Sequence, residues 1–386
     1  MMRGSLSLLL ACGIAAGVML AGCERGPKGP TPESIAAAEQ KVIDRLYAAH
    51  IVPGITAFAA GAEELATAAG AFCEARDAGN FERLQQAWRD TVLAWQPLRW
   101  LQTGPGSDQH RMLRIDAWPQ ARLDLVATRV GQLLASNQSV DVGAIADQPV
   151  QLQGLPALET LLFEDRGPAD FPSGAAGDRR CALVRGIAGN LAGIARTQER
   201  LWQRGAAGGT VANSIFVSAG GGAVPPHNVI NQIGNLLMQQ LVELKDAAIG
   251  APLGISPSGQ AFSPRPRLAH SWRSRASLAR VVASLESVQA VYSGGKAGDD
   301  GIDDLLALRG AAAAATEFET LLAAALEQAR ALRDDGVTIY EGAADEAARE
   351  RLLELRNRVR DLEIQAQLVV MPALEVALTF NFADGD

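Results

Sequence analysis

From Pro32 onward, the apolar residues of this chain recur at three- and four-residue intervals almost without interruption. In the first such segment Ile35, Ala38, Val42 and Leu46 share one helical face. The apolar content is carried largely by Ala and Leu, with few runs of β-branched residues, and this composition favours helices over strands. The sequence therefore predicts an all-α protein.

Proline and glycine set the predicted helix ends. Pro53-Gly54 is expected to interrupt the first helix, because proline lacks a backbone donor and its ring clashes with the preceding turn. After the apolar stripes at 58–72 and 84–98, the same pattern predicts further helices at 117–137, 154–164, 178–203, 225–249, 267–293, 301–333 and 344–380.

The length of 386 residues predicts two domains, at about 150 residues per domain. Residues 250–266 carry four prolines, so we place the boundary near 250, with an N-terminal bundle and bridging helix at 33–250 and a C-terminal bundle at 251–386. Residues 156–159, Pro-Ala-Leu-Glu, recur at 372–375. The repeat indicates two helical bundles related by duplication, although four common residues can also match by chance.

The N-terminus has the pattern of a targeting segment. Residues 1–22 combine Arg3, an apolar run and small residues, which predicts a signal peptide. The sequence Leu-Ala-Gly-Cys at 20–23 resembles a bacterial lipobox, so Cys23 is expected to be the lipidated first mature residue and 23–32 a Gly- and Pro-rich tether. A plain signal or a single membrane helix is the alternative. We expect a cell-envelope protein on the periplasmic side, lipid-anchored to a membrane.

Two cysteines remain in the predicted globular part, Cys73 and Cys181. An oxidising envelope compartment favours a disulfide between them. Two separately buried thiols are the alternative, since cysteine is often fully buried.

Charge and motifs exclude several functions. Lys and Arg number 35 against 43 Asp and Glu, a formal net charge of -8, which disfavours a nucleic-acid partner. The closest two of the four histidines, His227 and His270, are 43 residues apart, so no local two-histidine metal site exists. The HExxH zinc motif, the GxSxG elbow and the phosphate-binding GxxxxGK[ST] loop are all absent.

Polar residues interrupt segments that are expected to pack. Arg114, Asp116 and Trp118 precede a predicted helix, where the charged pair can orient the indole and bind a polar ligand, or simply cap the helix as an ion pair. Glu159 lies among apolar residues and is expected to be partly buried. A buried carboxylate is usually paired, metal-bound or raised in pKa, so Glu159 is a candidate site residue.

The C-terminus carries further oxygen donors, Asn381, Asp384 and Asp386. Two nearby phenylalanines, Phe380 and Phe382, favour a docked tail with these oxygens facing inward over a frayed, solvated one. Oxygen clusters of this kind suit hard cations or ordered hydrogen-bond networks.

Several of these segments together resemble the imelysin-like family of bacterial envelope proteins, also called the imelysin peptidase family. The matching residues are Trp88 and Arg89 with Trp95 and Leu98, and the segments 104–105, 114–119, 154–159, 251–254 and 380–386. The resemblance implies an all-α fold of two helical bundles related by duplication, a functional cleft between them, and a role connected with iron acquisition.

The family's central GxHxxE motif, whose histidine and glutamate have been taken as metal ligands, reads Gly-Leu-Pro-Ala-Leu-Glu at 154–159. Pro156 replaces the histidine and offers no ligand, so only Glu159 carries over as a metal ligand. We predict one binding site between the bundles, formed by Glu159, Arg114, Asp116, Trp118, Asn381, Asp384 and Asp386.

The predicted function is that of a non-enzymatic, lipid-anchored envelope protein that binds a metal, a metal complex or a partner in iron acquisition. Its expected partners are the membrane, through the lipid, and envelope proteins of iron uptake; a metal ion is the one cofactor considered. An imelysin-type metallopeptidase is the first alternative, disfavoured because zinc needs about three protein ligands to activate water. A structural envelope lipoprotein is the second.

Overall fold

The computed structural model describes residues 29–119, 124–164, 171, 173–217, 224–295 and 300–379. Within these ranges the protein is all-α, as predicted, and the β pairing is confined to one isolated bridge between Ile255 and Ala261. The predicted signal peptide, Cys23 and the C-terminal residues Asn381, Asp384 and Asp386 lie outside the described residues.

A first group of helices comes from the N-terminal half. Helix α2 packs against α3 and α8, which bury Phe58, Trp88 and Trp95. Thr31 caps the first helix by accepting a hydrogen bond from the Ser34 amide at 3.2 Å. The helices are α1 (Pro32–Leu46), α2 (Val52–Glu74), α3 (Ala78–Trp95), α4 (Arg111–Ile115), α5 (Leu125–Ala135), α6 (Val142–Ala146), α7 (Leu155–Phe163), α8 (Gly174–Gln203) and α9 (Gly209–Val217).

A second group comes from the C-terminal half, where α14 packs against α12 and α16, and Tyr292 meets Phe318 at a ring distance of 4.5 Å. Helix α10 contacts α1 on one side and α16 on the other, so it joins the two groups. These helices are α10 (Pro226–Val242), α11 (Ala251–Leu253), α12 (Ser277–Tyr292), α13 (Ile302–Leu308), α14 (Ala312–Asp334), α15 (Ile339–Gly342), α16 (Glu346–Gln365) and α17 (Met371–Ala373).

The structure joins Cys73, at the end of α2, to Cys181, in α8, through a disulfide with the two Cα atoms 5.6 Å apart. The bond ties together two helices that already pack over much of their length.

Three wide π-helical turns link helices that would otherwise be separate: Tyr47–Ile51, Glu243–Gly250 and Ala366–Val370. Each is followed within two residues by a proline, namely Pro53, Pro252 and Pro372. In an α-helix a proline ring clashes with the carbonyl four residues earlier, and that residue lies inside the π turn in all three cases. The prediction that Pro53 interrupts the helix is therefore wrong, because the wider turn lets the helical backbone continue from α1 into α2.

The predicted helix at 267–293 begins only at Ser277. Residues before it form a short 3-10 turn, Pro266–Leu268, and a series of bends in which Ser271 and Arg275 have positive φ values of 56° and 61°. This segment is here called the 265–276 loop, and its residues 265 and 267–273 line a cavity described below. Within the described residues, no helix has the length and apolar character needed to cross a membrane.

Candidate functional site

A cavity of about 290 Å³ lies between the two helical groups. The first group contributes Trp118 and Pro119, Asp124 before α5, and Pro156 and Glu159 of α7. The second contributes Ala247 and Ala251 from the π turn and start of α11, together with the 265–276 loop. The predicted cleft is thus present, and Trp118 and Glu159 both line it.

Asp116 is the centre of a buried ionic network behind the cavity wall. Its Oδ1 is 3.0 Å from His270 Nε2, and its Oδ2 accepts from Arg99 Nη1 at 3.3 Å and, more closely, from Arg280 Nη2. All four side chains are less than one-tenth exposed. Asp116 therefore ties the first helical group to the second, which supplies His270 and Arg280.

Arg99 extends this network across the wall. Its guanidinium forms a two-point contact with Glu243 at 2.9 and 3.0 Å and donates to the Trp118 carbonyl at 2.8 Å. The Arg99 cation also lies 5.1 Å from the Trp118 ring centre, and that ring stacks on His270 at 4.2 Å with the planes 4° apart. The indole of Trp118 is held in place by this arrangement.

The protonation states follow from these contacts. Burial alone raises the pKa of a carboxyl group, but the Arg280 guanidinium and the contact with His270 outweigh it, so the pKa of Asp116 lies well below its ordinary value. Burial and the charge of Arg280 lower the pKa of His270 to about 3. At neutral pH His270 is uncharged and donates from Nε2 to the Asp116 carboxylate, which leaves Nδ1 without a proton.

Glu159 has a different environment, in which both hydrogen bonds to Oε1 come from the 265–276 loop. The backbone amide and the hydroxyl of Ser274 each donate to it at 2.9 Å. Burial raises the pKa of Glu159, and the Ser274 hydrogen bonds only partly offset that effect. A chain of contacts from Ser274 through Ser271 to Arg280 connects Glu159 with the Asp116 network.

Basic and aromatic side chains line the outer part of the cavity. Arg267 and Arg273 both approach Asp124, and Arg265 lies on the same loop. Arg273 also lies over the ring of Trp272 at 4.4 Å, and that ring stacks on Tyr340 at 4.9 Å. The cavity thus presents positive charge beside aromatic surface.

The predicted site residues are only partly brought together. Asp116, Trp118 and Glu159 lie in one connected region, whereas Arg114 donates to Gln153 at 2.7 Å rather than to Asp116. The three C-terminal residues are not described by the structure. Sequence reasoning missed Arg99, Glu243, His270 and Arg280. For His270 a signal was available in the run at 265–273, where three arginines, a histidine and a tryptophan lie close together.

The residues present do not reproduce the family's metal site. Pro156 lines the cavity in place of a histidine, Oε1 of Glu159 is taken by Ser274, and the charges of Arg273 and Arg280 act on this carboxyl group. Among the described residues, no group of three or more His, Cys, Asp or Glu side chains is placed to hold a metal ion. This donor set does not fit a bare metal ion.

The chain is thus an all-α protein of two helical groups with a polar cavity between them. The chain belongs to the imelysin family, because the Imelysin (Peptidase_M75) family model matches residues 51–366. Iron-regulated protein A of Synechococcus elongatus is 27% identical over 207 residues, 53% of this chain and 52% of the relative. The chain therefore matches about half the length of this curated relative.

Two solved structures share the fold. An imelysin-like protein from Psychrobacter arcticum has a TM-score of 0.72 and 20% identity, covering 89% of this chain and 98% of that one. A putative iron-regulated protein A precursor from Parabacteroides distasonis has a TM-score of 0.71 and 15% identity, covering 90% and 97%. At these identities the likeness concerns the fold alone.

Proposed function

We propose that this protein is a non-enzymatic, lipid-anchored envelope protein that binds an anionic iron complex in the cavity between its helical groups during iron acquisition. The family membership and the similarity to proteins named as iron-regulated support the connection with iron. The positive charge of the cavity lining favours an anionic iron complex over a bare iron cation as the ligand.

The observation that carries the proposal is the charge balance around the cavity. The negative charge of Asp116 is already compensated by Arg99 and Arg280. Arg265, Arg267 and Arg273 line the cavity together with the carboxyl groups of Asp124 and Glu159, so the lining has an excess of positive charge. A cation entering there meets positive charge, whereas an anionic chelate gains charge-assisted hydrogen bonds, which are about twice as strong as neutral ones.

The state of His270 supports binding over hydrolysis. A general base works best with a pKa near the working pH, and burial and Arg280 lower the pKa of His270 to about 3. The hydroxyl of Ser274 lies between Glu159 and the Ser271 carbonyl, and the Ser274 backbone amide donates to the same Glu159 oxygen. These groups hold the wall of the cavity in place.

Ferric citrate, an anionic iron complex, tests the proposal by isothermal titration calorimetry. We expect the full-length mature protein to bind it, and Arg273→Ala to weaken binding at least about tenfold, which corresponds to ~1.4 kcal/mol. Arg330→Ala is the matched control, since Arg330 pairs with Glu286 on the surface. Wild-type protein that does not bind ferric citrate, or that hydrolyses casein in a chelator-sensitive way, would contradict this function.

The lipid anchor is tested separately. Cys23→Ala is expected to move the protein from the membrane fraction to the soluble fraction with its helical circular-dichroism spectrum unchanged, because each buried methylene of the lost lipid contributes roughly 0.8 kcal/mol to anchoring. A variant that still sediments with membranes would show that another segment attaches it.

A further inference from the structure

Asp124 places a carboxylate of the protein itself between two arginines of the cavity. Its Oδ2 is 3.4 Å from Arg267 Nη1, and its Oδ1 is 3.6 Å from Arg273 Nη2. All three residues line the cavity, and 41% of the Asp124 side chain is exposed. Each oxygen of one carboxylate thus faces a different guanidinium.

These contacts are loose. Charge-assisted hydrogen bonds between a guanidinium and a carboxylate are usually 2.7–2.9 Å long, and both Asp124 distances exceed that range. Asp124 is therefore a weak occupant of the position between the two arginines.

Arg273 is the better-placed of the two arginines for recognising a ligand. Only 8% of its side chain is exposed, its Nε is buried with no hydrogen-bond partner in the described structure, and its second ion pair, with Glu164, is 3.5 Å long. A guanidinium carries five N–H donors in a planar fork; in Arg273 the Nε donor is unused and both carboxylate contacts of Nη2 are long. Such a group favours a planar, two-oxygen acceptor.

We propose that the cavity recognises carboxylate groups of its ligand through Arg267 and Arg273, and that Asp124 is an internal competitor which an incoming ligand carboxylate displaces. The inference rests on the proposed binding function and specifies its ligand class, a polycarboxylate chelate. Displacement exchanges two long ion pairs for shorter bonds, and releases a half-exposed aspartate to water at small cost.

The test compares Asp124→Asn with wild type in calorimetric titrations of ferric citrate, of metal-free tricarballylate and of inorganic phosphate. Asparagine keeps the shape and tolerates the left-handed backbone at this position, where φ is 58°, and Asp124→Gly is a second variant that accepts the same backbone. Asp178→Asn is the control, because Asp178 pairs with an arginine outside the cavity.

We expect both Asp124 variants to bind ferric citrate and tricarballylate at least about fivefold more tightly than wild type, and Asp178→Asn to bind as wild type does. Equal or weaker binding by the Asp124 variants would show that Asp124 does not compete. Phosphate bound as tightly as tricarballylate would overturn the carboxylate class.

The remaining outcomes separate this inference from the proposed function. Tricarballylate bound without ferric citrate would remove the iron function and leave carboxylate recognition standing. Failure of wild type and both variants to bind any probe would overturn both.

Discussion

Glu159 and Glu375 end identical tetrapeptides, Pro-Ala-Leu-Glu, in the two halves of the chain. Pro156 lies in the first turn of α7, so Glu159 continues into a helix and is buried at the cavity. Pro372 lies in α17, directly after the π turn at Ala366–Val370. Glu375 lies beyond the end of that helix, where its φ is 58° and 73% of its side chain is exposed. The same four residues open one helix and close another.

The pKa values of these two carboxyl groups also shift in opposite directions. Burial raises the pKa of Glu159, whereas a hydrogen bond from Arg309 lowers the pKa of Glu375. Arg309 in turn reaches the buried Glu39, which also contacts His227 at 2.8 Å. The difference teaches that the tetrapeptide specifies neither the local structure nor the direction of the pKa shift, because the surrounding helices determine both.

The largest expected effect is a difference in the free energy of unfolding between variants of Asp116 and of Glu375. Asp116→Ala leaves Arg99 and Arg280 buried with their shared carboxylate removed, and such a loss costs about 3–5 kcal/mol of the free energy of unfolding. Glu375→Ala, at an exposed ion pair, is expected to leave the urea midpoint almost unchanged. Asp116→Asn, which keeps the shape, should fall between the two. An Asp116→Ala loss below about 1 kcal/mol would break this comparison.

A smaller effect is expected on the free energy of unfolding at acidic pH. His270 has a pKa of about 3 when folded, below its ordinary value of 6.5, so the unfolded chain takes up the proton first as the pH falls. Its contribution to stability is present above pH 6.5 and is lost as the pH falls from 6.5 towards 3. Relative to His270→Gln, wild type should lose on the order of 1 kcal/mol per pH unit between pH 6 and 5.

Urea titrations at each pH measure this slope. His110→Gln, at an exposed position, controls for the loss of a histidine as such. Parallel slopes for wild type and His270→Gln would mean that His270 titrates as it does in the unfolded chain.

The smallest expected effect is on the melting temperature, when Glu159 and Glu375 are each replaced by glutamine. Glu159→Gln should hold the melting temperature at pH 7 or raise it slightly, since it removes a carboxyl group whose ionisation burial disfavours, while changing the affinity for ferric citrate. Glu375→Gln should shift the melting temperature by less than about 1 °C and leave affinity unchanged. A large drop in melting temperature for Glu159→Gln, with affinity intact, would assign Glu159 a structural role.

Much of the fold could be predicted because local periodicity determines which segments are helical. The predicted helices at 154–164 and 178–203 match α7 and α8 closely. The segment at 267–276 was misassigned, since its apolar spacing continues that of α12 while its backbone turns.

Less of the candidate site than of the fold could be predicted from the sequence. Asp116 and Glu159 stand out as acids in packed segments, yet the partners of Asp116 lie far along the chain. His270 is 154 residues away and Arg280 is 164. Only the tertiary fold places these charges together, and it also places Arg114 beside Gln153, away from the partner that its sequence neighbourhood suggested.

The π turn at Glu243–Gly250 makes the cavity wall tolerant of one change in chain length. Each residue of an α-helix advances the side-chain direction by about 100°, whereas a π turn, with its i→i+5 hydrogen bonds, holds about one more residue in the same rotation. A chain with one residue fewer here is expected to close this turn as an α-helix and to keep Glu243 on Arg99 and Ala251 at the cavity. A relative that is one residue shorter at this turn is therefore expected to keep its cavity wall in phase, with the difference confined to the turn itself.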